Sequence, residues 1–391
     1  MASSTSTSWA SATRDPRPEE WWFGTWDIQE KVWPLSKGKG VTVALIDSGV
    51  NAGLPDLRGR ILPGRNIIGP SGDGRKDLDK GGGHGTAMAA TIVGQGLGAG
   101  MVGIAPEANI LPIYSTVEDL APAIDYATDH GAKVINVSQG LASPPSAGGC
   151  DRGIQRAITR AIQHDVVLVA SAGNDASMGV MNQEPAQCPG FLTVGAVDYK
   201  FNPWVDSQPA PYVAVAAPGV HTGSIGKTGT FFPNLSGTSN SAALASGVVA
   251  LVRAKYPKMP AREVVQRIIG TARDVASPGR DDQTGYGLIR PYHALTDKVS
   301  ASSPNPVYSA WDATQRLSVP TTLSPSSSTS QHASQNRHKS MVSIYLFSIG
   351  GICLGVVAIV SAFLLINRAR SRAHASRVHK YSFSRNGGSD G

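Results

Sequence analysis

Four stretches of the chain are largely apolar and rich in β-branched residues: 40–47 (GVTVALID), 132–140 (AKVINVSQG), 166–174 (VVLVASAGN) and 191–198 (FLTVGAVD). Apolar runs of this length, with little polar alternation, predict strands buried on both faces of a sheet. Between them lie segments such as 117–131 (VEDLAPAIDYATDHG), whose apolar residues recur at helical spacing. Strands alternating with helices predict an α/β fold with a parallel sheet covered on both sides, and in such sheets functional groups gather at the carboxyl ends of the strands. Two further segments, GGGHGTAMAATIVGQG from Gly81 and LSGTSNSAALASGVVALVRAKYP from Leu235, read as buried helices built from small residues.

The pattern changes near residue 300. Ser, Thr, Pro, Gln and Asn dominate 301–340, which cannot bury enough apolar area to offset its ordering entropy, so 300–341 is expected to be a flexible stalk. Tyr308 and Trp311 are its aromatic exceptions, expected to pack back on the domain. Residues 342–366 (VSIYLFSIGGICLGVVAIVSAFLLI) carry no charge over 25 positions, long enough for one transmembrane helix through a core of about 30 Å. Two basic residues (Arg337, Lys339) precede this span and six follow it, so the positive-inside rule places 367–391 in the cytoplasm as a basic tail. Everything before the span is then expected outside a cell membrane crossed once. At the other end 1–20 is expected to be disordered, and MASSTSTSW offers neither a basic n-region nor an apolar h-region. An exported domain then calls either for a true start upstream, which is the favoured expectation, or for a single span that inserts late and draws the domain across.

Composition agrees with this division. The 391 residues are 41% hydrophobic and 16% charged, enough for a domain of roughly 250 to 300 residues with appendages. The net charge of +7 invites a nucleic-acid reading, but ten Lys/Arg against three acids lie from Asp297 onward, leaving 25 of each sign in the part before it. A neutral body with a basic tail excludes a DNA-binding domain, whose charge would sit on the folded surface.

Three polar residues stand at element boundaries. Asp47 ends the first strand, His84 opens one small-residue helix and Ser239 opens another. Singly, Asp47 reads as a turn or a ribose-binding acid, and His84 and Ser239 as helix caps. The dinucleotide reading lacks its glycine fingerprint, since GLGAG at 96–100 follows a helix-like stretch. Together, Asp, His and Ser in this chain order match the subtilisin version of the hydrolytic triad. Ser239 would attack the scissile carbonyl, His84 would move the proton and Asp47 would orient the imidazole. Asn174, ending the third strand, fits as the side-chain donor to the oxyanion, or else forms a turn with Gly173.

Asp47-Ser48-Gly49, His84-Gly85-Thr86, Ala172-Gly173-Asn174 and Gly237-Thr238-Ser239 resemble the four signature segments of the subtilisin-like serine proteases, a likeness running from about Trp21 to Leu295 and ending in Gly285-Tyr286-Gly287-Leu288. The C-terminal anchor, the stalk and the opening WPLSKGKGVTVALIDSGVN further resemble the mycosins, membrane-anchored proteases of type VII secretion systems. The resemblance implies a subtilisin-like three-layer fold with a mainly parallel central sheet, in a peptidase domain over 21–299, followed by the C-terminal transmembrane helix. It implies a protein or peptide substrate, a membrane location, and a type VII secretion membrane complex as partner, with no nucleic acid and no cofactor. Substrate would pair alongside 137–140, with Ser138, Gln139 and Gly140 on one wall of the specificity pocket and 170–173, including Ala172 and Gly173, on the other. A scaffold of the secretion complex with dispensable catalysis, or a general surface protease, share the same layout. Asn240 stands where the family often has Met, and Leu244 where it usually has Pro, which affects helix geometry and substrate fit more than any triad role. There is no room for the long folding segment of secreted subtilases, and Trp21, Trp22, Trp26 and Trp33 are expected to pack a short N-terminal extension on the domain.

Cys150 and Cys188 are the only cysteines before the span, so an oxidising compartment predicts a disulfide whose loop carries Asn174. No His/Cys cluster has zinc spacing, and Asp73, Asp77 and Asp79 lack an EF-hand pattern, so no metal is expected and these acids read as a solvated loop.

Overall fold

The computed structural model describes residues 15–143, 149–179 and 181–318. The expected span over 342–366, the basic tail and residues 1–14 lie outside the described residues, as does the part of the expected stalk beyond 318. Among the described residues no helix is long and apolar enough to cross a membrane.

Strands β1 (Thr42–Asp47), β2 (Arg65–Asn66), β3 (Asn109–Tyr114), β4 (Val134–Val137), β5 (Leu141–Ser143), β6 (Val167–Ser171), β7 (Asn182–Glu184), β8 (Phe191–Val197) and β9 (Val213–Pro218) follow one another along the chain. Seven of them form one sheet in the order β2-β3-β1-β4-β6-β8-β9, with every neighbouring pair parallel. The four apolar runs of the sequence are β1, β4, β6 and β8. All seven residues of β8 and all six of β9 are buried, as the absence of polar alternation requires of a sheet covered on both faces. β5 and β7 pair separately and antiparallel.

Helices α1 (Trp22–Thr25), α2 (His84–Val93), α3 (Leu120–Asp129), α4 (Arg152–Gln163), α5 (Thr238–Lys255), α6 (Ala261–Gly270), α7 (Pro291–Thr296) and α8 (Pro306–Ser318) complete the chain. α2 packs on α5 and α3 on α4, and α5 lies across β4, β6, β8 and β9. α5 is buried from Thr238 to Arg253, which its alanines, serines and glycine permit by letting the sheet approach closely. A Cβ at Gly247 would lie 2.1 Å from Ile104 Cγ2. The chain places β3 on one side of β1 and β4 on the other, which makes the carboxyl end of β1 the switch point of the sheet. Ligands of open α/β sheets bind at such a point, outside the carboxyl ends of the strands.

The N-terminal extension is core, as the four tryptophans predict. Trp22 is fully buried, stacks on Phe23 with ring centroids 4.3 Å apart, and Trp33 Nε1 donates to the Ile104 carbonyl at 2.9 Å. Residues 15–20, part of the segment expected to be disordered, are tied down. Arg17 Nη1 donates to the Ala99 carbonyl at 2.8 Å, and the buried Glu20 carboxyl accepts the amides of Arg17 (2.7 Å) and Val102 (2.9 Å). Burial pushes the Glu20 carboxyl up to about 8.

The expected stalk boundary at 300 also moves. Within it, α8 is a helix that packs back through Tyr308, which is 3% exposed, and Trp311, whose Nε1 donates to Thr159 Oγ1 at 3.1 Å. The paired Arg262 and Asp312 (2.7 and 2.9 Å) clamp it to α6, with the Arg262 guanidinium 4.7 Å over the Tyr308 ring. Two aromatic residues and one bidentate pair are enough to order 306–318 despite its polar composition.

Candidate active site

Asp47 is the last residue of β1 and lies at the switch point, 2% exposed. Its Oδ1 accepts the Ser48 amide at 2.7 Å, and both oxygens face His84 Nδ1, at 2.8 and 2.9 Å. A carboxylate only accepts, so Nδ1 carries the proton and Nε2 of the neutral ring is left as an acceptor. The Asp47 charge pushes His84 up to about 9, against an opposing desolvation effect.

His84 opens α2 because Gly83 before it adopts φ +100°, and a Cβ there would lie 2.4 Å from the Lys227 amide nitrogen. A second carboxylate fixes the same turn. Asp77 is 7% exposed and accepts the Ser48 hydroxyl at 2.9 Å, the Thr86 amide at 2.9 Å, the Thr86 hydroxyl at 2.5 Å and the Asp79 amide at 3.0 Å. Ser48 Oγ in turn accepts the Gly85 amide at 2.9 Å. The reading of these acids as a solvated loop therefore holds for the exposed Asp73, paired with Arg75, and fails for Asp77. Asp77 satisfies the Thr86 amide in the first turn of α2, Ser48 Oγ satisfies that of Gly85, and the Ser48–Asp77 bond ties this turn to the residue after Asp47.

Asn174 follows β6, and a relay of hydrogen bonds fixes its amide. Gly173 N donates to Thr238 Oγ1 at 3.1 Å, so the Thr238 hydroxyl hydrogen is free for Asn174 Oδ1 at 2.8 Å, which also accepts the Thr238 amide at 2.9 Å. Both contacts at Oδ1 come from donors, which assigns oxygen there and leaves Nδ2 as the outward donor.

Ser239 is the second residue of α5 and 8% exposed. His84, Asn174 and Ser239 line one cavity of about 330 Å³, walled further by Phe232 and Leu235 and by Asn240, whose buried Oδ1 has no partner. No hydrogen bond joins His84 to Ser239. Instead Ser239 Oγ donates to the Ser138 carbonyl at 3.0 Å.

The residues expected to wall the specificity pocket are not in the lining of this cavity. Ser138 is buried, its hydroxyl accepting Asn136 Nδ2 at 2.7 Å; Gln139 has a buried amide nitrogen without a partner; Gly140 leads into β5. Ala172 is fully buried, with its amide spent on the Val194 carbonyl at 3.0 Å, so it offers a substrate no side chain. Gly173, at φ +110°, covers Gln183 from β7, which a Cβ would meet at 2.6 Å. Gln183 is thus packed directly beneath Gly173, a neighbour that the sequence does not reveal. Cys150 and Cys188 are joined by a disulfide with Cα atoms 4.9 Å apart. With Glu184 they make the sole cluster of potential metal ligands among the described residues, and the disulfide removes both thiols from that role.

The model of the subtilase family matches residues 38–287. Fervidolysin of Fervidobacterium pennivorans is 33% identical over 306 residues, which cover 70% of this chain and 43% of that protein. The chain therefore spans less than half the length of that relative. Mycosin-3 of Mycobacterium tuberculosis is 33% identical over 69% of this chain and 70% of its own. Among solved structures, a chain of the periplasmic assembly from the ESX-5 inner membrane complex superposes with a TM-score of 0.64 at 29% identity, covering 81% of this chain and 90% of that one.

Proposed function

The chain belongs to the subtilase family and is a mycosin-like serine protease, and from that premise we propose that it is an endopeptidase with Asp47, His84 and Ser239 as its triad. The observation that carries this reading is the arrangement of His84: Nδ1 is locked on a buried carboxylate while the ring lines the cavity that also holds Ser239. In acylation Ser239 Oγ turns from the Ser138 carbonyl toward His84 Nε2, yields its proton there and bonds to the scissile carbonyl carbon. The carbonyl oxygen takes the electron pair and is met by Asn174 Nδ2 and by amides at the start of α5. His84 returns the proton to the leaving amine, water repeats the sequence on the acyl-enzyme, and Asp47 stabilises the imidazolium throughout. Labelling with a sulfonyl fluoride tests the assignment: modification confined to Ser239 and lost in Asp47→Asn supports it, whereas a labelled residue elsewhere overturns it.

The location follows the same premise. The uncharged 342–366 segment anchors the peptidase domain outside a membrane, with 319–341 as the remaining stalk and 367–391 on the cytoplasmic side. There the enzyme processes a protein exported by type VII secretion. A second reading is favoured by the likeness to a chain of the ESX-5 inner membrane complex: the domain stabilises a secretion complex and its catalysis is dispensable. Complementation of a deletion strain separates the two. Ser239→Ala that loses cleavage and keeps secretion supports the scaffold, and loss of both supports the protease.

A further inference from the structure

Strands β10 (Ser224–Ile225) and β11 (Phe231–Phe232) form a small antiparallel hairpin, with Ser224 opposite Phe232 and Ile225 opposite Phe231. Ile225, Gly226 and Phe232 line the cavity that holds His84 and Ser239, and Phe232 is 38% exposed. A ladder of this length carries little stability of its own, so what packs behind the hairpin decides where this wall of the cavity stands. The β10 side is tied to the start of α2: Ser224 Oγ donates to the Ala87 carbonyl at 2.9 Å, and the Lys227 amide to the Gly82 carbonyl at 2.8 Å.

The β11 side is held by the N-terminal segment. The Arg17 guanidinium lies 3.8 Å over the centre of the Phe231 ring, with the Glu19 carboxylate 3.5 Å from Nε. Gly223 has φ +57°, and a Cβ there would stand 2.7 Å from Phe231 Cζ and 3.0 Å from Glu19 Cβ, so only glycine lets segment and hairpin close on each other. Trp21 Nε1 adds a bond to the Val220 carbonyl at 3.2 Å, just before the hairpin. The segment is in turn fixed to the turn at 99–102. Arg17 Nη1 donates to the Ala99 carbonyl, and the buried Glu20 carboxyl accepts the amides of Arg17 and Val102. One guanidinium is therefore bonded to the body of the domain and stacked on the hairpin, while Arg17 itself is not in the lining of the cavity.

In the mechanism above the leaving amine takes its proton from His84, and the start of α2 that carries His84 bounds the same cavity as the hairpin. The part of a substrate that departs with the amine therefore has the hairpin among its walls. We propose that Arg17 is a positioning residue for cleavage, which by holding Phe231 sets the hairpin wall against which the leaving part of a peptide substrate packs. The inference rests on the reading of Asp47, His84 and Ser239 as a protease triad.

The test uses the full-length chain and two substrates. One is an internally quenched peptide with several residues on each side of the bond that wild type cuts. The other is the methyl ester of the same sequence ending at that bond, whose leaving group is a single carbon. Arg17→Met is expected to raise KM for the peptide about three- to tenfold at nearly unchanged kcat, and to move KM for the ester less than about twofold. Arg17→Lys keeps a cation for the ring and should recover most of the loss, and Phe231→Leu should reproduce the split from the other side of the contact. An equal change on both substrates in Arg17→Met and Phe231→Leu, or none on either, overturns the proposal, because a merely destabilised fold lowers turnover of the ester as well. Wild type that cuts neither substrate, with Ser239 unlabelled by a sulfonyl fluoride, overturns the protease reading and this inference with it.

Discussion

Ser239 Oγ donates to the Ser138 carbonyl at 3.0 Å and makes no hydrogen bond to His84, although both line one cavity. The single neutral bond holding that hydroxyl is worth about 1 kcal/mol. Ser239→Ala is therefore predicted to cut hydrolysis of a chromogenic peptide by about 10⁶, the scale of losing a triad nucleophile. The same variant should leave the melting temperature within about 4 °C of wild type. A large destabilisation would show that the hydroxyl is structural.

His84 is raised to about 9 by the Asp47 charge, so activity and stability should respond to pH in opposite senses. The base must be neutral to accept the Ser239 proton, so kcat/KM is predicted to climb with pH, pass its half-maximum near 9 and level off above it. The folded value lies above the ordinary 6.5, so the pair's contribution to stability is complete below about 6.5 and is lost as pH rises through 9. A pH–rate profile beside a pH series of thermal melts checks both signs. Asp47→Asn should bring the inflection down toward neutrality while lowering kcat by about 10⁴.

Asn174 owes its orientation to Thr238, through contacts of 2.8 and 2.9 Å. Asn174→Ala is predicted to lower kcat 10²- to 10³-fold with little change in KM, about 2.7 to 4 kcal/mol of transition-state stabilisation. Thr238→Val removes one of the two anchors and leaves Nδ2 in place part of the time, so it should cost less, about tenfold. Steady-state kinetics of the two variants test the ranking.

Asp77 holds four donors, two of them from Thr86 at the start of α2, although it does not line the cavity. Asp77→Ala leaves the Thr86 amide and the Thr86 hydroxyl proton without an acceptor in a buried place, which costs about 2 to 5 kcal/mol. The expected outcome is a clear drop in denaturant midpoint together with a slower acylation step in single-turnover kinetics. Asp77→Asn, which keeps the acceptor oxygen, should recover part of both.

The parts of the fold that were legible in the sequence are those fixed by local periodicity. β1, β4, β6 and β8 are continuous apolar runs, and both α2 and α5 announce themselves through small residues. β3 was not singled out because Pro112 breaks the run NILPIY, yet Pro112 is tolerated in register with Leu45 at the centre of a parallel pair. Asp77 was misread for a different reason. Its partners Ser48 and Thr86 lie 29 and 9 positions away, and only the folded chain reveals that they converge. Gln183 is similar: nothing in its neighbourhood marks it, and its place beneath Gly173 comes from the pairing of β5 with β7. Composition misled at 306–318, where two aromatic residues outweigh a polar background.

The depth of α5 has one more consequence. Its first residues carry Ser239, yet the helix runs on through the middle of the molecule with every position to Arg253 buried against sheet or helix. Most helix ends fray at little cost, and local openings of that kind are the first motions of a warming protein. Here the end that bears the nucleophile belongs to the segment whose amides should exchange slowest. On heating, the serine keeps its aim until the whole body melts, and peptidase activity ends in the same cooperative step as the fold.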